Sequence, residues 1–461
     1  MRDRITRPFT LMSTELRRSM GLAAATSMVV GIIVGASIFV QPAEVTRLVP
    51  NRSGVILAWL VSGVLTLCAA LVCAELARLF PNTGGVYVFL KEIYSPALGF
   101  LWGWTMFFVM HAGILAAIAV VLARYAGYFF GLGDAGVHML AMAAILLVSF
   151  IQYLGVKQGS AVQVILTVVK VCAVGLLCAL IFTFGKAAHH DVIASADQPI
   201  HVASFGLAVA AGLFAFGGWH MVSYSAGETR NPERTIPRAL IFGVLIVTAC
   251  YTFLNSAYLY VMPLGSVATS TRVAAEAMER VLGPAGAKVI TLVIIVSALG
   301  SLNGIALAGP RVYYAMAQDG LAFRWLGALH PKRQTPYLAI AAQAAWSCVL
   351  AATNSYRALF SRVIYTEWLF FALLAAGIFL LHGRGQYKPK FLAFAHPLLP
   401  AISFVTSAAI AINQMWAAPR DSFIGLGLLL MGLPVYFFWA HRNTTEKARR
   451  GPGTNANDRL S

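Results

Sequence analysis

Three ionisable side chains stand deep inside apolar runs of this 461-residue chain. Lys170 lies within Leu166-Thr167-Val168-Val169-Lys170-Val171-Cys172, Glu367 precedes Trp368, and His220 follows Trp219. A charge held in hydrocarbon is costly, so such residues mark a functional site or a pair shared with a neighbouring helix. Lys170 could instead be a helix-end lysine reaching an interface. Two glycine-bearing interruptions accompany them: Gly31-Ile32-Ile33-Val34-Gly35-Ala36-Ser37-Ile38-Phe39 and Gly212-Leu213-Phe214-Ala215-Phe216-Gly217-Gly218-Trp219-His220. Glycine mid-helix costs about 1 kcal/mol against alanine. Small residues there permit close helix packing. Alternatively both helices break, freeing backbone N–H and C=O groups for a buried polar ligand. The chemistry on offer is recognition of a polar solute rather than bond making. There is no H-E-x-x-H, no G-x-S-x-G, no P-loop and no close carboxylate pair within a span, so no enzyme activity is expected and no cofactor is implied. His189, His190, Asp191 and His201 resemble a metal cluster only weakly and read as a solvated loop, so no metal site is expected.

The elements that must position these residues are membrane helices. Hydrophobic residues make up 59% of the chain and charged residues 11%, with a mean hydropathy of +0.75. A soluble domain is nearer a quarter charged, because its surface faces water. Runs long enough to span hydrocarbon fall at about 22–48, 53–79, 94–123, 137–155, 158–184, 202–227, 237–262, 285–316, 336–354, 358–382, 391–413 and 422–440. The expected fold is therefore an all-α integral membrane protein of about twelve spans. Residues 1–20 form an N-terminal segment, 21–441 the membrane domain and 442–461 a short disordered tail. The first run is too long for a signal-peptide core and reads as a retained helix.

With an even number of spans both termini share one side. Assigning that side to the cytoplasm gathers twenty-two of the 34 Lys and Arg there, against about ten outside. The positive-inside rule then places both termini in the cytoplasm of a multi-pass cell-membrane protein. The net charge of +17 follows from topology and anionic headgroups, which argues against nucleic-acid binding. All six cysteines fall in the expected spans, so no disulfide framework is implied.

The two interruptions lie five spans apart, at matching places in two units of five helices. Such units enter the membrane from opposite sides. That is the inverted repeat of secondary transporters, where paired broken helices mark a midplane site. Repeat one would cover about 21–185, repeat two about 202–383, and helices 11 and 12 about 391–441.

These motifs carry a resemblance. Gly35-Ala36-Ser37-Ile38-Phe39 resembles the G-S-G-I-F of the amino acid–polyamine–organocation (APC) transporters, and Phe214-Ala215-Phe216-Gly217-Gly218-Trp219 resembles the F-A-Y-G-G-W of their L-type amino acid branch. The likeness runs on through Ala74-Glu75-Leu76, Pro81-Asn82-Thr83-Gly84-Gly85-Val86-Tyr87, Glu228-Thr229-Arg230-Asn231-Pro232 and Gly309-Pro310-Arg311-Val312-Tyr313-Tyr314, covering about residues 15–441. It implies a sodium-independent amino acid transporter, exchanger or permease, working by alternating access. By the same resemblance the substrate carboxylate meets the amides of Ala36 and Ser37 beside Gly35, and its ammonium meets carbonyls of Ile33, Phe214 and Gly217. Lys170 occupies the place of the ion in sodium-coupled relatives and braces the break at Gly35. Tyr251 and Ser301 or Asn303 could hydrogen-bond the lysine or the substrate.

Four positions at the site depart from the branch pattern. Ala36 and Ser37 replace Ser and Gly, and His220 and Glu367 stand where Asn is common. Glu367 could meet a polar or cationic side-chain group, or pair with His220, and Trp219 and His220 are counted with the substrate site. His111, on helix 3, is a further ionisable residue there, readable as simply hydrogen-bonded. A polyamine or other organic amine transporter, or a non-transporting sensor, is the alternative. Heteromeric members of the branch join an accessory chain through a cysteine after helix 3. The segment Tyr125 to Val137 has none, so no disulfide-linked partner is expected.

Overall fold

The computed structural model describes residues 16, 18–35, 37–187, 199–353, 356–385 and 395–449, with backbone alone for 128, 356–365 and 442–449. In order the helices are α1 (Leu22–Ile33), α2 (Ser37–Leu48), α3 (Arg52–Leu79), α4 (Val86–Ile93), α5 (Pro96–Thr105), α6 (His111–Phe130), α7 (Asp134–Leu154), α8 (Val156–Phe184) and α9 (Val202–Ala215). They continue with α10 (Pro232–Val261), α11 (Leu264–Thr269), α12 (Val273–Leu282), α13 (Pro284–Gln318), α14 (Tyr337–Thr353), α15 (Tyr356–Gly383), α16 (Leu398–Ala417), α17 (Pro419–Leu430) and α18 (Gly432–Arg449). A π-turn at Met106–Met110 joins α5 to α6, and a 3₁₀ segment, Trp219–Glu228, follows α9. No strand pairing occurs among the described residues beyond one bridge, Met20 with Thr229.

The amphipathicity of α8 is inverted relative to a soluble helix. Gly159, Ser160, Gln163, Thr167 and Lys170 point inward, while Ile165, Val168, Val169 and Leu176 are exposed. The inward set recurs at the helical period of 3.6 residues, so in the middle of the helix one face carries the polar groups. The same outward apolar surface continues on α3, α7 and α10 through Leu57, Val64, Phe150 and Phe253. In water so much exposed apolar area would drive association. Against lipid it carries no penalty, because each helix satisfies its own backbone hydrogen bonds. The protein is a multi-pass membrane protein.

Among the described residues ten helices are long and apolar enough to cross a bilayer, and α1 with α2, bent by 51°, makes up to eleven. The expected count of twelve is thus not reached on length and composition. α14 is apolar but only 17 residues long. Other boundaries also moved. The eleventh run begins at Leu398 rather than near 391, residues 386–394 lying outside the described set. The tail expected from 442 begins as helix, since α18 continues to Arg449. Between α10 and α13, in the stretch between the expected runs 237–262 and 285–316, lie α11 and α12. The amphipathic α12 buries Val273, Ala274, Ala277 and Met278 on one side, which a search for twenty-residue apolar runs cannot detect.

Candidate functional site at two helix breaks

α1 stops at Ile33 in the middle of an apolar run, leaving its last carbonyls without intrahelical partners. Side chains from three other helices take them up. Lys170 Nζ on α8 donates to Gly31 O at 2.6 Å and to Val34 O at 2.8 Å. It also lies 3.1 Å from Ser301 Oγ on α13, itself within donor reach of the Gly31 and Ile32 carbonyls. Ser297 Oγ donates to Val34 O at 3.0 Å. Tyr251 Oη on α10 completes the set at 2.9 Å from Ile33 O. Lys170 is 2% exposed, so it does not reach an interface. Its positive charge sits where the helix dipole is negative, and the geometry satisfies both. Of the three residues weighed as partners, Ser301 meets Lys170. Tyr251 meets the backbone of the break instead. Asn303 turns away, to Gln163 Oε1 and Gly159 O.

One expectation fails here. Ile33 O does not stand open for a substrate ammonium, since it already accepts from Gly35 N at 2.7 Å and from Tyr251 Oη. Two donors fill its two lone pairs. Ala36 lies outside the described residues.

The second break follows α9. Phe216 and Gly217 turn back onto Leu213 O and Phe214 O, and Gly218 takes a left-handed φ of +98°. Tyr251 Oη lies 3.1 Å from Ala215 O, so one phenol bridges both breaks. The glycines of the two motifs divide by role. A Cβ on Gly31 would sit 2.1 Å from Gln163 Nε2, and one on Gly212 would sit 2.3 Å from Ser62 Oγ. Those two serve close packing. A Cβ on Gly217 would touch only Phe214 O, at 3.5 Å. Gly217 faces space.

That space is a cavity of about 100 Å³, room for several water molecules or a small solute. Ile33, Gly35, Ser37, Phe214, Gly217 and Glu367 all line it, as do Trp368 and Phe371 of α15 and Ile118 of α6. The structure therefore brings six expected site residues together. Trp219 and His220 are not on its wall. They pack behind it, Trp219 against Phe371 with ring centroids 5.0 Å apart, and His220 with Nε2 3.3 Å from Glu367 Oε1. The cause is the turn at Gly218, which rotates the 3₁₀ segment away from the cavity. The His220–Glu367 approach is an ion-pair distance without hydrogen-bond geometry, and both atoms stand unpartnered among the described residues. His111 is fully buried beside Tyr224, and neither of its ring nitrogens has a hydrogen bond among them.

The sequence reading missed what closes the bundle below the 3₁₀ segment. Arg311 on α13 donates through Nε to Glu228 Oε2 and through a terminal nitrogen to Glu228 Oε1, each at 3.0 Å, with both side chains fully buried. Arg311 also donates to Leu307 O. Glu228 O accepts from Ser19 N and Met20 N, which straps the N-terminal segment across the same point. The available signal was an arginine inside a 35-residue apolar helix, which demands an acidic partner. His189, His190 and Asp191 lie outside the described residues, and no metal-binding group of His, Cys, Asp or Glu occurs among those described.

A Val at Gly217 gives a first expected result. It should fill the cavity and abolish substrate binding while the protein still inserts and folds, because the added Cβ meets only Phe214 O, at ordinary contact distance. Ala at Gly218 should do the reverse. Its Cβ would lie 2.4 Å from Ile32 Cγ2 at a backbone angle disfavoured for any side chain. Ligand binding and thermal melting measured on both variants in detergent check the pair, and normal uptake by Gly217→Val would remove the cavity as the site.

The chain is similar to known transporters over nearly all its length. The amino acid permease family model matches residues 20–438. The serine/threonine exchanger SteT of Bacillus subtilis (strain 168) is 32% identical over 437 residues, 92% of this chain and 97% of the relative. The human b(0,+)-type amino acid transporter 1 is 29% identical, with 93% and 89% covered. The human large neutral amino acids transporter small subunit 2 is 28% identical, with 93% and 82% covered. These relatives are named as exchangers and transporters, not enzymes. A family match across the whole helical domain, two broken helices around one cavity and no catalytic arrangement in that cavity agree: the chain belongs to the amino acid permease family, whose members are membrane transporters.

Proposed function

We propose that this chain is a sodium-independent amino acid transporter, exchanger or permease, working by alternating access at the cavity between the two helix breaks. The observation that carries the reading is the capping of the α1 break by Lys170, a tethered cation among carbonyl oxygens that a free ion could otherwise coordinate. The substrate carboxylate faces the amides of Ala36 and Ser37 beside Gly35, and Ser37 opens α2, whose dipole is positive at that end. Its ammonium faces the carbonyls of Phe214 and Gly217, Ile33 O being engaged. Both head groups are costly to bury unpaired, and the backbone at the two breaks supplies their partners. The helices form two five-helix repeats of opposite orientation, about 21–185 and 202–383, followed by two more spans near 391–441. Counting α14 and the bent pair as spans gives twelve, with both termini cytoplasmic. The chain acts without a disulfide-linked accessory subunit. Uptake of a labelled amino acid panel into liposomes, with and without internal substrate and in sodium or choline buffer, tests this directly. An absolute sodium requirement overturns it.

Glu367, 7% exposed on a largely apolar wall, favours a substrate with a polar or cationic side chain, and it is the one observation favouring the second reading, an organic amine transporter. Glu367→Gln should reorder neutral, acidic and basic substrates more than it weakens the common amino acid head, by roughly tenfold between classes (about 1.4 kcal/mol). An unchanged ranking in the competition panel would leave Glu367 a structural residue.

A further inference from the structure

From Glu367 on the cavity wall a run of buried polar atoms extends behind it, beyond the substrate site. It begins at Glu367, whose Oε1 is 3.3 Å from His220 Nε2. The His220 ring lies 5.5 Å from that of Tyr224, and Tyr224 lies 5.4 Å from His111. A Cβ on Gly309 would sit 2.9 Å from His111 Nδ1 and 2.0 Å from Gln343 Oε1, so those two atoms share one small space between α6, α13 and α14. Glu367 Oε1, both nitrogens of His220 and of His111, and Gln343 Oε1 are all buried without a hydrogen bond among the described residues, and the Tyr224 hydroxyl between the two histidines meets only the Trp102 side chain.

Native proteins leave few buried polar atoms unpaired, and each one calls for an explanation. Six in one run, on four elements, call for a polar occupant between them. Water is the natural bridge between such groups, because it both donates and accepts. The members are also the groups that pass protons. A carboxyl and an imidazole take and release one, and a phenol donates and accepts at once. The titratable groups facing His220 and Tyr224 are Glu367 on α15, His111 on α6, Cys73 on α3 and Tyr313 on α13, and Trp102 on α5 packs against both. Lys170 is committed elsewhere, to the α1 carbonyls.

We propose that Glu367 and His220 together hold one exchangeable proton, relayed through water along Tyr224 and His111, and that this proton crosses the membrane with the substrate. Glu367 takes it from water in the cavity when the site faces one side. After reorientation it passes through His220 and the relay to water on the other side, leaving the protein's charge as it began. This rests on the transporter reading above and adds the coupling ion.

The test uses the full chain in liposomes enclosing a pH-sensitive dye, with L-threonine as probe. External L-threonine should acidify the lumen as uptake proceeds, and an inward proton gradient should raise uptake several-fold. Glu367→Gln should lose the acidification. His111→Gln should slow it by roughly tenfold (about 1.4 kcal/mol) while exchange at equal pH on both sides continues, and it carries the test if Glu367→Gln does not fold. Uptake with no acidification and no response to the gradient overturns proton coupling and leaves the transporter reading standing. Acidification that persists in Glu367→Gln or is untouched in His111→Gln overturns the assignment. Absence of any amino acid uptake defeats both readings.

Discussion

Lys170→Ala should reduce transport by at least a hundredfold, in a protein that otherwise transports equally in sodium and choline. The substitution removes two charge-assisted hydrogen bonds, to Gly31 O and Val34 O, from a fully buried helix end. Bonds to charged groups contribute about 1.5–3 kcal/mol each, and the carbonyls left behind remain desolvated. Ser297 and Ser301 keep some of the set occupied, so the helix should survive while its end loses its fixed position. A hundredfold effect corresponds to about 2.8 kcal/mol, well inside what the two bonds can supply. Counterflow rates beside thermal melting in detergent separate the two consequences. Transport by Lys170→Ala at the unaltered rate would detach the lysine from function, and recovery of the variant by added sodium would show an ion site that the ammonium fills.

The second large effect concerns Glu228 and Arg311, which are fully buried and joined by two bonds of 3.0 Å. Removing either partner alone leaves an uncompensated charge away from water, a loss of about 3–5 kcal/mol. Glu228→Gln and Arg311→Met should each lower the melting temperature sharply. The double variant should be more stable than either single one, because it leaves no orphan charge. A double-mutant cycle with additive losses would mean that the two residues do not depend on each other. The pair ties the end of the 3₁₀ segment to α13, where the N-terminal strap also lands. Its loss should therefore loosen this side of the bundle first, with raised hydrogen exchange at Ser19 and Met20.

Much of the architecture is legible in the residues because a bilayer imposes a simple code. Every backbone group must be satisfied within a helix, so spans appear as apolar runs of about twenty residues, and glycine inside one is conspicuous. The breaks after Ile33 and after Ala215, the buried lysine on α8 and the family motifs all follow from that local code. Short amphipathic elements escaped it. In α12 the buried face holds only Val273, Ala274, Ala277 and Met278, too short a stripe to stand out until the neighbours are in place.

What the sequence by itself determined is which groups could not be left alone: Lys170, Glu367, His220 and Arg311 each need partners in hydrocarbon, wherever the chain puts them. Only the tertiary structure decided who those partners are. Lys170 reaches carbonyls 136 and 139 residues away, Arg311 finds Glu228 across 83 residues, and Tyr251 closes Ile33 O across 218. The same packing opened Gly217 to the cavity and turned Trp219 and His220 behind it. Helical periodicity assigns a residue to a face within its own helix. The register and rotation of one helix against another come from how side chains interlock across all of them, and no local pattern carries that information.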